Sequence, residues 1–367
     1  MRLGTLTAGI VLSLVTTLPA ASQVPAVTAT STVIEGGEHT FTEPLVVAPG
    51  ATLTIRDAKV FLDAPRHCPT GGTVAFCRPH LFVMPGATLV AERVTFDTHR
   101  SVDIEDPSTG YMVYSYGGRL LISDSTILRA NVVGGEAPGH ARSVVRDSTF
   151  SHGIQAISFT RGMDALIEGN TIAAHRFGID VRDSSAVIRA NTVSVLGYGI
   201  DVQSTQVGDK ALPTRALVED NVVTGSLGGF FTLNGFSSTV RGNTFEGNKW
   251  GAILGVNGGD AIVARERIVF ERNRLAGNEN ALRSYVSVSH GQSEPTDYIV
   301  PIRGNSIVGT TCRAVQVTSS TNPNVRLTLD ARENWWGSPE GPLTNGDECP
   351  AVTGAALVEP WLQAPPE

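Results

Sequence analysis

The feature that most constrains the fold is a short sequence motif that recurs along the chain, which we call the asparagine phrase. It alternates apolar residues and then continues with Asn, Thr and another apolar residue, as in ALIEGNTI at 165–172 and AVIRANTV at 186–193. The recurring asparagines are Asn170, Asn191, Asn221, Asn243, Asn273, Asn305 and Asn334, and Ser125 and Ser148 hold the same place earlier. Copies lie about 22 residues apart, or about 30 where a loop is inserted. Because a unit of this size can bury its apolar side only against its neighbours, the repeat predicts a solenoid.

The same phrase predicts how each coil is built. Alternating apolar residues give a strand one inward and one outward face, and stacked strands lie about 4.8 Å apart. An asparagine amide carries two donors and an acceptor, so asparagines at the same turn of successive coils can bond to one another as a ladder. We therefore expect an all-β fold, a single-stranded parallel β-helix with capping segments at its ends.

The first residues have the order of an export signal. Arg2 precedes an apolar run over 3–18 and small residues at 19–22, and the run is short for a membrane anchor. We expect a signal peptide at 1–22, one β-helix domain with its C-terminal cap at 23–362, and a tail at 363–367. The mature protein is then expected to be secreted, either extracellular or periplasmic, and to be a monomer that does not insert into a membrane.

Four cysteines fall into two local groups, which suits disulfides in an oxidising compartment. We expect the bonds Cys68–Cys77 and Cys312–Cys349, because neither group has histidine partners at the spacing of a zinc site. The formal net charge is −7 and no run rich in Lys or Arg is present. Nucleic acid is therefore not an expected partner.

The chain resembles the right-handed β-helix repeat proteins of the pectin-lyase-like superfamily, which include carbohydrate-binding and sugar-hydrolase repeat domains. The resemblance rests on the repeat and on the closing NWWGSPEGP at 334–342 with VEPWL at 358–362, which is similar to a terminal signature of many bacterial members. The resemblance spans Val33 to Leu362 and implies that the β-helix is right-handed. It implies little about activity, since this scaffold hosts many functions.

A second phrase follows the asparagine phrase and predicts the floor of a groove. It reads FGIDVR at 177–182 and YGIDVQ at 198–203, which points Asp180, Arg182, Asp201 and Gln203 outward. The inserted loops, predicted at 203–215, 256–267, 284–300 and 317–326, all follow this strand. Because function commonly lies on loops above a rigid scaffold, we expect a glycan to bind on this outward face.

Asp180 and Asp201 would stand about 5 Å apart on adjacent coils. Three outcomes are open for such a pair. One carboxyl could keep its proton, which would give an acid/base pair for glycoside cleavage. A cation such as Ca²⁺ could bridge the two in a lyase, and no other cofactor is expected. Arg182 and solvent could instead screen two ordinary surface carboxylates.

Further candidates lie around the same strand. His175 and Arg176 precede it and could serve as a base and a carboxylate clamp, while Arg283 on a later coil is a candidate contact to substrate. Three aromatic residues share one register, and we interpret them as core packing in preference to a sugar-binding stack. They are Phe177, Tyr198 and Trp250, of which Trp250 is the candidate substrate contact.

The active-site motifs of polygalacturonase-like hydrolases and alginate epimerase-like proteins are missing from the sequence. A copper-accessory role, suggested by resemblance to periplasmic β-helix proteins, has little support because Met and His are few and unclustered. We therefore expect a secreted β-helix repeat protein that binds extracellular polysaccharide or another cell-surface glycan along an elongated groove. The alternative is a polysaccharide lyase or glycoside hydrolase that acts on an acidic polysaccharide through Asp180 and Asp201.

Overall fold

The computed structural model describes most of the chain between Ala26 and Pro366. The described ranges are 26–28, 30–64, 79–101, 111–135, 142–204, 214–234, 237–257, 268–287, 296–318, 324–342 and 350–366. Within them the chain forms strands joined by turns and contains no helix. It follows that none of these residues belongs to a helix long and apolar enough to cross a membrane.

Each coil contributes one strand to each of three parallel sheets, which we name A, B and C. Sheet A contains β1 (Ala26–Thr28), β4 (Leu45–Val47), β7 (Pro79–Val83), β10 (Tyr111–Tyr116), β13 (Ala130–Gly135), β16 (Gln155–Thr160), β19 (Phe177–Arg182), β22 (Tyr198–Gln203), β25 (Gly228–Leu233), β28 (Trp250–Asn257), β31 (Asn280–Ser287), β34 (Arg313–Thr318) and β36 (Val352–Thr353). Sheet B contains β2 (Thr32–Glu35), β5 (Thr52–Arg56), β8 (Thr88–Glu92), β11 (Arg119–Ser123), β14 (Ser143–Arg146), β17 (Asp164–Glu168), β20 (Ser185–Arg189), β23 (Arg215–Glu219), β26 (Thr239–Arg241), β29 (Val269–Glu271), β32 (Thr296–Arg303), β35 (Val325–Asp330) and β37 (Ala356–Leu357). Sheet C contains β3 (Glu38–Phe41), β6 (Lys59–Leu62), β9 (Thr95–Asp97), β12 (Thr126–Leu128), β15 (Thr149–Ser151), β18 (Thr171–His175), β21 (Thr192–Val195), β24 (Val222–Thr224), β27 (Thr244–Glu246), β30 (Arg274–Ala276) and β33 (Ser306–Val308). In every sheet each strand pairs with the equivalent strand one coil away, which makes the molecule a parallel β-helix.

The core is a set of files of apolar side chains that run along the axis of the β-helix. In sheet A, Ile179 pairs with Ile200, which pairs with Phe230 and so on through successive coils. These side chains belong to one buried cluster that extends through all three sheets. Burial of a side chain such as Ile or Phe stabilises the fold by about 1.5–3 kcal/mol, so stacking neighbouring coils is what holds each coil in shape.

The repeated asparagines form a ladder along the turn between sheets B and C. Asn221 shows the pattern, because its Oδ1 accepts bonds from the backbone N–H of Asn191 at 3.0 Å and from the Nδ2 of Asn191 at 2.9 Å. Its own Nδ2 donates to the carbonyls of Ile188 and Glu219 and to Oδ1 of Asn243. The same bonds continue from Asn170 to Asn334, while Ser125 and Ser148 extend the line toward the N-terminus.

The residue before each ladder position has a left-handed backbone, which turns the chain sharply from sheet B into sheet C. Gly169, Gly242 and Gly304 hold this place with φ of 65°, 66° and 65°. Ala190 and Asp220 hold it with φ of 54° and 57°. Glycine adopts this conformation at no steric cost, whereas Ala190 bears a penalty for its Cβ.

A second, shorter ladder lies at the turn between sheets C and A, and the repeat phrase did not predict it. The backbone N–H of Ser226 donates to Asn248 Oδ1 at 2.8 Å, and the backbone N–H of Asn248 donates to Asn278 Oδ1 at 2.9 Å. Asn248 and Asn278 could have been identified from the matching Gly-Asn dipeptides at 247–248 and 277–278.

The C-terminal segment covers the last coils, as the capping expectation required. Trp336 is buried, and Trp361 lies against Gly341 and donates its Nε1–H to the carbonyl of Pro339 at 2.9 Å. Cys312 is disulfide-bonded. Cys68, Cys77 and Cys349 lie outside the described residues, so the predicted pairings Cys68–Cys77 and Cys312–Cys349 stay predictions.

The inserted loops leave the β-helix at one corner, between a strand of sheet A and the next strand of sheet B. The prediction of a loop at 284–300 was too wide, because β31 runs to Ser287 and β32 begins at Thr296. The expected loop at 317–326 is likewise shortened by β34 and β35, which end at Thr318 and begin at Val325. Most of the remaining loop residues lie outside the described ranges, and so do residues 1–22 and the predicted signal peptide.

Candidate functional site

The outward side of sheet A carries the sequence-predicted site residues in files, because the strands pair in register. Asp180 pairs with Asp201, and Arg182 pairs with Gln203. We call this surface, from β16 to β34, the sheet A face. Its first file contains Ser158, Asp180, Asp201, Phe231, Ile253, Arg283 and Gln316. Its second file contains Thr160, Arg182, Gln203, Leu233, Gly255, Tyr285 and Thr318.

Asp180 and Asp201 are buried beneath the longer side chains of this face. Only 5% of Asp180 and 7% of Asp201 is exposed, so the interpretation of both as solvated surface carboxylates is wrong. Arg182 Nε donates to Asp180 Oδ1 at 2.8 Å, and Arg182 Nη2 lies 3.8 Å from Asp201 Oδ2. Gln203 Nε2 donates to both carboxyl oxygens of Asp201, at 2.8 and 2.7 Å.

Asp180 Oδ2, the other oxygen of this carboxyl group, also accepts hydrogen bonds. Gln155 Nε2 donates to Asp180 Oδ2 at 2.8 Å, and the Ser158 hydroxyl donates to the same atom at 3.2 Å. Gln155 and Ser158 were missed from the sequence, because neither belongs to the repeated phrase. The pairing of Ser158 with Asp180 could have identified Ser158 once the register of β16 was assigned.

The two carboxyl groups differ in their electrostatic surroundings. Burial raises the pKa of Asp201 to about 8, and the charge of Asp180 raises it as well. Arg182 and the bond from Gln203 act in the opposite direction but do not cancel these effects. Since Arg182 forms its short bond with Asp180, the arrangement is an Asp180–Arg182 ion pair beside an Asp201 carboxyl that keeps its proton at neutral pH.

Aromatic side chains lie beside the two files, and the preferred interpretation of Phe177, Tyr198 and Trp250 as core packing was wrong. These three are half-buried and do not belong to the buried apolar cluster. The Tyr198 ring stacks on Phe231 with centroids 4.6 Å apart, and Phe177 lies 6.4 Å from Tyr198. Phe231 follows Asp201 in the first file, which places this stack on the sheet A face.

Glycines allow the rings to lie against the sheet. A Cβ at Gly228 would approach the Tyr198 ring to 2.8 Å, and one at Gly255 would approach the Tyr285 ring to 2.7 Å. Any other residue at these two places would push the rings away from the strands. Tyr285 was missed from the sequence, and its in-register pairing with Gly255 is the signal that could have found it.

Trp250 and Arg283 meet farther along the same face. The Arg283 guanidinium carbon lies 5.6 Å from the centroid of the Trp250 ring and 5.5 Å from that of Tyr285, which are cation–π distances. Arg176, in contrast, is exposed at the turn before β19, where its guanidinium carbon lies 5.6 Å from the Phe177 ring. The structure thus places Arg176 at the rim of the face and Arg283 on it.

His175 does not lie on the sheet A face. Its side chain is fully buried, its Nδ1 lies 2.9 Å from the carbonyl oxygen of Ala173, and its ring contacts the backbone at Gly153. Burial lowers the pKa of His175 to about 4. The expectation of a turn histidine that reaches the groove as a base was therefore wrong, because the bend after β18 turns the ring toward the neighbouring coil.

Ca²⁺ does not fit the Asp180–Asp201 pair as it stands. Ca²⁺ takes six to eight oxygen ligands, whereas Arg182 donates to Asp180 and Gln203 donates to both oxygens of Asp201. Among the residues that the structure describes, no group of three or more His, Cys, Asp or Glu side chains could hold a metal ion.

A family model described as "Periplasmic copper-binding protein (NosD)" matches residues 119–294, slightly less than half of the chain. The all-parallel coils confirm the single-stranded parallel β-helix that the repeat predicted, and the family match agrees with the resemblance to β-helix repeat proteins. The described part of the sheet A face does not fit a copper site either, since it offers no histidine, cysteine or methionine ligand. No curated protein matches the chain.

Several solved structures resemble the chain weakly. The periplasmic alginate epimerase AlgG is 14% identical, with 86% of this chain and 79% of that chain covered and a TM-score of 0.37. A hyperthermoactive exopolygalacturonase from Thermotoga maritima is 11% identical, with coverages of 84% and 79% and a TM-score of 0.35. DFA-IIIase from Arthrobacter chlorophenolicus A6 is 10% identical, with 88% of both chains covered and a TM-score of 0.32. Nothing about the activity of this chain follows from similarities of this size.

Proposed function

We propose that the protein is an extracytoplasmic glycan-binding protein that holds a polysaccharide or another cell-surface glycan along the sheet A face. The observation that carries the proposal is the combination of aromatic rings with positioned polar groups on one continuous strand surface. The half-buried rings of Tyr198, Trp250 and Tyr285 supply flat apolar surfaces that can pack against sugar rings. Arg182 and Gln203 supply hydrogen-bond donors. A location outside the cytoplasm agrees with the family match to a periplasmic protein.

The buried carboxyl groups support binding in preference to catalysis. Every oxygen of Asp180 and Asp201 accepts a bond from a neighbouring side chain, and only 7% and 11% of the two side chains is exposed. A catalytic acid or base has to come within hydrogen-bond distance of the substrate atom on which it acts. In this arrangement the two groups fix the orientation of Arg182, Gln155 and Gln203, which are the groups that face the glycan.

Binding isotherms of the mature protein on a broad panel of soluble polysaccharides test this proposal. We expect at least one glycan to bind, and we expect Trp250→Ala to lower its affinity about tenfold, because an aromatic contact contributes on the order of 1 kcal/mol beyond its area. Ile299→Ala is the matched control, since Ile299 is an exposed apolar residue on sheet B. If no glycan binds, or if both variants bind as the unmodified protein does, the proposal is wrong.

Glycan cleavage by the acid pair is the second candidate, and the raised pKa of Asp201 favours it. A protonated carboxyl beside an ionised one is the arrangement that glycoside hydrolysis uses, and a lyase would need a base to remove a proton. Assays for new reducing ends and for unsaturated products, run on the polysaccharides that bind, distinguish the two functions. Product formation that Asp201→Asn abolishes would identify an enzyme.

A further inference from the structure

Arg283 differs from the arginines on the outer faces of the β-helix that are paired with acidic side chains. Its Nε is buried without a hydrogen-bond partner, and within the described ranges the side chain forms no ion pair. By contrast, Arg182 pairs with Asp180 at 2.8 Å and Arg189 with Glu168 at 2.7 Å. Arg241–Glu219 and Arg303–Asp330 are further pairs, at 3.0 and 2.6 Å.

The position of Arg283 is nevertheless defined by its neighbours. The guanidinium carbon lies within cation–π distance of two rings, at 5.6 Å from the Trp250 centroid and 5.5 Å from the Tyr285 centroid. An arginine that stacks on aromatic faces keeps its planar set of donors in a restricted orientation. Arg283 therefore presents a guanidinium that is positioned by the two rings but is not neutralised by an acidic side chain.

The other charges on the sheet A face leave Arg283 without a counter-charge. Asp180 and Arg182 cancel each other, Asp201 is protonated at neutral pH, and Gln203 and Gln316 carry no charge. Arg283 thus supplies the uncompensated charge among the described residues of the two files, although the whole chain has a formal charge of −7. A positive centre on an acidic protein favours an anionic group of the ligand at that point.

We propose that Arg283 is an anion-binding subsite of the sheet A face, so that the glycan is an acidic one whose carboxylate or sulfate groups bind the guanidinium. This inference rests on the proposed function and specifies its ligand class. Carboxylates and sulfates both match the paired N–H groups of a guanidinium. The rings of Trp250 and Tyr285 then contact the sugar that carries the charged substituent.

The test compares glycans that differ only in charge. Polygalacturonate is paired with its fully methyl-esterified form, and dextran sulfate is paired with dextran. Affinities are measured for the mature protein, for Arg283→Gln and for Arg283→Lys. Arg274→Gln, which changes an exposed arginine on sheet C, is the control for the loss of one positive charge.

We expect the unmodified protein to bind the charged member of at least one pair more tightly than the neutral member. Arg283→Gln should lower the affinity for the charged member tenfold or more and leave the neutral member within about twofold, since charge-assisted bonds are about twice as strong as neutral ones. Arg283→Lys should give an intermediate loss, and Arg274→Gln should have no effect. Melting temperatures of all variants establish that they are folded. Should Arg283→Gln not fold, the result for Arg283→Lys decides the matter.

The opposing outcomes separate this inference from the function on which it rests. Equal affinity of the unmodified protein for charged and neutral members would overturn the anion subsite and leave glycan binding intact. The same holds for a charge preference that is undiminished in Arg283→Gln, or undiminished in Arg283→Lys if that is the variant that folds. A protein that binds none of these glycans, nor any of the broader panel, would overturn both.

Discussion

Asp201→Asn should make the protein more stable at alkaline pH, although it alters a buried polar residue. The folded state raises the pKa of Asp201 from the ordinary 3.8 to about 8. A carboxyl whose pKa is raised on folding makes its full contribution to stability below about pH 3.8. That contribution is lost as the pH rises toward 8. Asparagine is a neutral replacement of nearly the same shape as the protonated acid, so the variant should not lose this contribution.

The size of the effect follows from the same two values. A tenfold change in proton affinity corresponds to about 1.4 kcal/mol, so the rise from 3.8 to about 8 corresponds to a ceiling on the order of 5 kcal/mol. Asp180 is close enough to adjust when Asp201 ionises, and Arg182 can move toward Asp201 from 3.8 Å. Both responses reduce the loss, and we expect about 2–4 kcal/mol between pH 4 and pH 8.

The assay is urea unfolding at a series of pH values for the unmodified protein and for Asp201→Asn. The difference between the two curves should grow as the pH rises, with the variant the more stable protein near pH 8. Asp297→Asn is the control, because Asp297 is an exposed residue of sheet B in an exposed pair with Arg326. Two curves that run parallel between pH 4 and pH 8 would refute the protonated state of Asp201.

Two further predictions concern the turn between sheets B and C. Asn221→Ala should lower the free energy of unfolding by about 3–5 kcal/mol, because two buried donors of Asn191 lose their acceptor and the carbonyls of Ile188 and Glu219 lose a donor. A loss below about 1 kcal/mol in urea unfolding would show that the asparagine ladder does not stabilise the fold. Ala190→Gly should raise the stability by about 0.5–1 kcal/mol, since φ is 54° at Ala190 and glycine holds the same place on other coils; a lower melting temperature than that of the unmodified protein would show that this turn carries no strain.

The coil architecture could be predicted from the sequence because it depends on periodic, local information. The alternation in the repeat sets the faces of the strands, and the constant spacing brings equivalent residues into register, so Asp180 pairs with Asp201 as expected. The shorter ladder of Asn248 and Asn278 escaped notice because it has only two asparagines and no fixed residues after them.

The chemistry of the site was less predictable, because it depends on which side chains cover others. A strand pattern indicates that Asp201 points outward, but not that Gln203 and Arg182 lie over it and remove it from water. The side chain of Tyr198 could pack in the core or outside, and the outward stack with Phe231 decides the matter. His175 lies at a bend between two strands, where the alternation of inward and outward positions breaks down.

The corner between sheets A and B has a consequence for how proteins of this kind can change over time. The ladder bonds link each coil to the next at the opposite turn, so an insertion or deletion there would break buried hydrogen bonds on both sides. Segments of different lengths at the corner after sheet A leave those bonds untouched. Natural variation in length should accordingly collect beside the sheet A face, so the surface proposed to bind glycan can change while the stacked coils stay the same.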